Sequence, residues 1–156
     1  MKKLLLLAFV SLLFVTTEAF SQIRLGAKVG VTTGEYLHTE YQGGATLQIG
    51  LPLIGLKVQP EVLYSYNADR HYSYVQVPVH IQWGLDLILL RPYLSVSPNA
   101  NLLVHHNWDG GSPTKFYCGV GLGGGLDIWG FQFQVHYNLT QEKYGRGTQF
   151  SLAYFF

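Results

Sequence analysis

The chain has 156 residues, a net charge of +1, and 12% charged against 48% hydrophobic residues, which is enough for one domain and lacks the basic footprint that nucleic acid requires. Beyond residue 21 no apolar run approaches the roughly 20 residues of a membrane-spanning helix, so any crossing of a bilayer would have to be made by strands. The one cysteine, Cys118, excludes an internal disulfide; with no charged neighbour in sequence it reads as a buried or lipid-facing thiol, not a nucleophile.

Met1-Lys2-Lys3, the apolar stretch 4–15 and the small-x-small run Ala19-Phe20-Ser21 have the pattern of a secretory signal peptide over residues 1–21. Residues 22–156 then form one barrel domain. From Ile23 onward the dominant hydrophobic period is two, the period of strands. The first predicted strand, 23–32, sets Ile23, Leu25, Ala27, Val29 and Val31 against Arg24, Gly26, Lys28, Gly30 and Thr32. The second, 43–51, opposes Ala45, Leu47 and Ile49 to Thr46, Gln48 and Gly50, and the third, 56–66, opposes Val58, Pro60, Val62 and Tyr64 to Lys57, Gln59 and Glu61. Pro60 has no N–H for a ladder, so it belongs at a bulge or a locally unpaired site.

The fourth strand, 74–85, points Val75, Val77, Val79, Ile81 and Trp83 one way and Tyr74, Gln76, Pro78, His80 and Gln82 the other. The fifth, 91–104, does the same with Leu94, Val96, Pro98, Ala100 and Leu102 against Tyr93, Ser95, Ser97, Asn99 and Asn101. The sixth, 116–126, carries Gly119, Gly121, Gly123 and Gly125 on one face, leaving room there for long side chains from elsewhere. The seventh, 131–139, alternates Phe131, Phe133, Val135, Tyr137 and Leu139 with Gln132, Gln134, His136 and Asn138, and the eighth, 148–156, ends on Phe156.

Charges and amides share a face throughout, and the opposite face is almost wholly apolar. A soluble ligand-binding barrel would reverse these sides. The expectation is therefore an all-β, eight-stranded antiparallel up-and-down transmembrane β-barrel in the outer membrane, apolar outside and polar inside. Segments 33–42, 67–73, 105–115 and 140–147 read as long outer loops; 52–55, 86–90 and 128–130 read as short turns, which puts both termini in the periplasm. Tyr64, Trp83, Trp129, Tyr137 and Phe156 are candidate membrane-interface aromatics. The final strand resembles the closing strand that barrel-assembly machinery recognises in bacterial outer-membrane barrels, so that machinery and outer-membrane lipid are the expected partners.

The segment Leu56-Lys57-Val58-Gln59-Pro60-Glu61-Val62-Leu63-Tyr64-Ser65 resembles the Leu-x-Leu-Gln-Pro-Glu-Leu-Leu-Tyr-Ser signature of the PorT-like outer-membrane β-barrel proteins. Val75-Gln76-Val77-Pro78-Val79, Arg91-Pro92-Tyr93-Leu94 and the 119–125 glycine stretch are similar to that family in the same order. The chain departs from the pattern at Tyr66-Asn67-Ala68-Asp69, where the family has Lys-Gly, and in a short first outer loop. The resemblance implies an integral outer-membrane barrel; it carries over no role in secretion.

Inward positions Arg24, Lys28, Lys57, Glu61, His80 and His136 form a candidate polar network. Eight strands enclose only enough space for side chains to fill, which favours a hydrogen-bonded plug over an open pore. The alternatives are a narrow path for protons or small solutes through His80 and His136, and an enzyme sited on the loops. His38, His71, His105, His106 and Asp109 are the loop candidates, as contacts for a ligand or partner before catalysis. No cofactor and no metal site is expected, because adjacent residues such as His105 and His106 rarely chelate one ion.

Overall fold

A computed structural model of the protein describes residues 23–34, 37–51, 55–69, 71–106, 115–141 and 146–156, except for the side chains at 37, 38, 105, 106 and 115. The expected signal peptide, 1–21, lies outside the described residues. Eight strands follow one another: β1 Ile23–Gly34, β2 Leu37–Leu51, β3 Leu56–Asn67, β4 Tyr72–Gly84, β5 Arg91–His106, β6 Lys115–Ile128, β7 Phe131–Thr140 and β8 Gly147–Phe155. Each pairs antiparallel with its neighbour in sequence. The ring closes between β1 and β8, from Gly26↔Phe155 to Thr33↔Thr148. Closure removes the unpaired edge that an open sheet of this length would expose.

The period-two pattern determines which face turns inward. In β7, Gln132, Gln134, His136 and Asn138 are buried while Phe131, Phe133, Val135, Tyr137 and Leu139 are exposed. The other strands divide in the same way, so the interior is lined by Gln, Ser, Asn, His and charged residues and the exterior by aliphatic and aromatic ones. A small buried cluster of Tyr72, Tyr74 and Leu103 lies inside, where β4 begins and β5 nears its end. The rim where β1 begins and β8 ends is called here the lower rim, and the opposite one the upper rim.

Several strands run further than the hydrophobic pattern suggested. The segment read as a first outer loop, 33–42, is mostly strand: β1 continues to Gly34, and β2 starts at Leu37. Likewise β5 continues through His106. Ladder hydrogen bonds do not depend on side-chain polarity, so pairing outlasts the apolar stretch that reveals a strand in sequence. The expected alternation of long and short connections is correspondingly weaker, since 35–36 is as short as 129–130.

Prolines interrupt the ladder locally. The β2–β3 pairing runs to Thr46↔Glu61 and resumes at Ile49↔Val58, skipping Pro60, which still faces Val79 of β4. The β3–β4 and β4–β5 ladders skip in the same way at Pro78 and Pro98. The lower turn at Trp129 and Gly130 has φ of 47° and 90°. Two consecutive positive φ values give the hairpin turn whose twist matches that of the flanking strands.

Candidate functional site

The interior is the site, and it is organised in three tiers. The middle tier is built around Lys28 of β1 and Glu61 of β3, which the barrel brings together across its lumen. Lys28 Nζ lies 2.9 and 2.8 Å from the two carboxylate oxygens of Glu61, and both side chains are essentially removed from solvent. Gln59 and Thr46 donate to the same carboxylate at 2.7 and 3.2 Å. His80 places Nε2 at 3.1 Å from Glu61 Oε2. Lys28 also donates to Gln134. His136 packs against His80 with ring centroids 4.6 Å apart, and its Nε2 is 2.6 Å from Ser95 Oγ.

The glycines of β6 make this packing possible. A Cβ on Gly123 would stand 2.9 Å from His136 Cδ2, and one on Gly125 would stand 2.5 Å from the Tyr93 hydroxyl. A methyl group at either position would collide with a side chain that fills the lumen. The wall opposite the long side chains is therefore thin where the interior is most crowded.

The lower tier contains Lys57, Arg91 and Asp127. Asp127 Oδ2 receives Lys57 at 3.4 Å and Arg91 at 3.3 Å, and Asp127 Oδ1 accepts from Gln132 at 2.8 Å. Arg91 also donates to the Gly55 carbonyl at 2.7 Å and reaches Asp86 at 3.2 Å, so one guanidinium ties two lower turns to β6. Gln59, Gln132 and Gln82 join this tier to the middle one: Gln59 donates to Gln132 at 2.7 Å, and Gln82 donates to Gln59 at 2.8 Å. The upper tier is a carboxylate held by phenols. Glu40 accepts from Tyr74 at 2.7 Å and from Tyr72, all three side chains being buried.

Of the six interior residues expected from sequence, Lys28, Glu61, His80 and His136 meet in the middle tier. Lys57 belongs to the lower tier, and Arg24 stands apart at the lower rim, its guanidinium 5.2 Å from the centre of the Phe155 ring. The residues that sequence reasoning passed over are Arg91, Asp127, Glu40 and Tyr72, while Tyr93 was placed inward but not in the polar network. Extending the alternation two residues beyond Tyr93 and Gly125 would have found Arg91 and Asp127. Glu40 was hidden because 33–42 reads as a loop.

The outer-loop histidines do not form a described cluster. His71 sits exposed in the β3–β4 connection with φ of 51°. His38 lies within β2, and His105 and His106 end β5, which corrects their placement on loops; the strand extension described above is the reason. Asp109 lies outside the described residues. The aromatics Tyr64, Trp83, Trp129, Tyr137 and Phe156 are all exposed on the exterior, as is Cys118. At the lower rim Phe131, Tyr154 and Phe156 form a ring cluster with centroid separations of 4.9 and 5.7 Å.

A closed, up-and-down ring of eight antiparallel strands is the architecture of the small outer-membrane β-barrel proteins. No protein-family model matches the chain, and no curated protein sequence does. Among solved structures, the chain is similar to the N-terminal β-barrel domain of Pseudomonas aeruginosa OprF, with 17% identity and a TM-score of 0.53, covering 85% of this chain and 97% of that one. It is also similar to Neisserial surface protein A, with 13% identity and a TM-score of 0.55, covering 84% of this chain and 92% of that one. At these identities the likeness is one of fold.

Proposed function

We propose that this protein is an integral, non-enzymatic outer-membrane β-barrel, exported by a cleaved signal peptide, whose lumen is closed by paired side chains and which acts as a structural element or binds a ligand or partner through its outer loops. The observation that carries the reading is the reversal of sides. The lumen holds the Lys28–Glu61 pair and its amide partners, whereas the exterior is a continuous belt of Leu, Val, Ile, Phe and Tyr. Such a belt facing water would aggregate; facing hydrocarbon, it is matched to its solvent.

The lower rim is the periplasmic one, and β8, with alternating Phe150, Leu152 and Tyr154 on its lipid face, is the segment offered to the barrel-assembly machinery. The Leu56–Ser65 signature supports a PorT-like relationship within this class. A conducting pore is disfavoured because the side chains of Lys28, Glu61, His80 and His136 pack together inside a barrel of eight strands, with Lys28 paired to Glu61 and the two imidazole rings 4.6 Å apart.

Two measurements test the proposal. Outer-membrane fractionation with a gel mobility difference between unboiled and boiled protein is the expected signature, and a soluble protein without a shift would overturn it. In planar bilayers the purified barrel should show no stepwise conductance; regular openings would favour the small-solute channel.

A further inference from the structure

The β4–β5 connection, residues 85–90, is unlike an ordinary turn. Leu85, Leu87 and Leu89 are each more than half exposed, and Ile88 is fully exposed. Turns that enter water are commonly built from Gly, Asn, Asp, Ser and Pro; this one presents four aliphatic side chains at one place. Two of its backbone N–H groups are bonded within the connection and its flanks. Leu87 N–H donates to the Leu90 carbonyl at 3.1 Å, and Leu85 N–H donates to the Pro92 carbonyl at 3.1 Å. Asp86, the one charged residue of the turn, keeps a 67% exposed side chain on the flank nearest the lumen rim, with Oδ1 3.2 Å from Arg91 Nε, and the aliphatic tip 87–89 carries no charge.

The turn is also continuous with the apolar belt. Leu85 extends the outward row of Ile81 and Trp83, and Trp83 is paired with the exposed Leu94. We propose that the 85–90 turn lies in the periplasmic leaflet, with Leu87, Ile88 and Leu89 against lipid acyl chains, and so anchors this side of the barrel's lower rim. The inference rests on the outer-membrane reading given above. Its chemistry is that of an apolar wedge on a barrel wall, with the lipid of that leaflet as its partner.

The test uses single-cysteine variants in a Cys118→Ser background, each labelled with an environment-sensitive nitrobenzoxadiazole fluorophore and placed in phospholipid nanodiscs. Ile88→Cys probes the turn, Val96→Cys the mid-belt, and His71→Cys the upper connection. The label at 88 is expected to emit as blue as that at 96 and to lose intensity when acyl-chain nitroxide lipids are included, while that at 71 stays red and responds to aqueous iodide. A red, iodide-quenched label at 88 would overturn the inference, and so would a blue label that nitroxide lipids leave unquenched, which would signify a protein cover such as a second copy. If the label at 96 also escapes lipid quenching, the outer-membrane reading falls; if 96 is quenched and 88 is not, only the wedge does.

Discussion

Replacing Glu61 by Gln keeps the shape of the side chain and removes the charge opposite Lys28. At 2.8 Å the attraction between the two ions is about 6 kcal/mol for an effective dielectric of about 20. Much of that only offsets the cost of taking both ions out of water, so the pair as a whole contributes little net stability. Removing one partner is different, because the desolvation of the other remains uncompensated. Glu61→Gln and Lys28→Met should therefore each cost about 3 to 5 kcal/mol. The double variant, with neither charge left, should cost less than about 2 kcal/mol, since Gln59 and Thr46 retain an acceptor at position 61. The assay is reversible urea unfolding in phospholipid vesicles, read from the fraction of heat-modifiable protein. Single variants within about 1 kcal/mol of the parent, or a double variant as costly as the sum, would refute the argument that this ion pair organises the lumen.

The same assay checks three more outcomes. Val79→Arg should lower stability by about 2 to 4 kcal/mol if Val79 lies near the bilayer midplane, while Ser97→Ala, which deletes an inward hydroxyl with no hydrogen-bond partner, should stay within about 0.5 kcal/mol. Gly123→Ala should cost about 1 to 3 kcal/mol by overpacking, because its Cβ would stand 2.1 Å from the Val135 carbonyl oxygen and 2.7 Å from His136 Cα. Arg91→Met should cost about 2 to 3 kcal/mol through loss of its charged hydrogen bonds, whereas Asp86→Asn, at a 67% exposed side chain, should cost under about 0.5 kcal/mol. Equal effects at 91 and 86 would mean that the guanidinium acts mainly through Asp86 and not through Gly55 and Asp127.

Strand number, strand order and the inward and outward faces were legible because a half-buried strand imposes a period of two that survives in sequence without any tertiary information. The role of the β6 glycines was legible for the same reason: four of them on one face can only mean space on that face. Strand ends were not legible at 33–42 and 105–106, where the ladder continues through polar residues. Pro60 was legible as an interruption, but not which of its two neighbouring ladders would be interrupted; the breaks at Pro78 and Pro98 were not foreseen.

What the sequence determined by itself is the face of each strand that turns to the lumen, within the stretches where the alternation is clear. Which of the lumen-facing residues meet was decided by closure of the ring, because closure and stagger set how far each strand is displaced relative to the one across the barrel. Lys28 and Glu61 are 33 residues apart, and Lys28 and Gln134 are 106 apart; nothing local to either records the contact. Alternation can assign a charge to the interior. Only the shear of a closed barrel can choose its partner, which is why Lys57 found Asp127 and left Glu61 to Lys28.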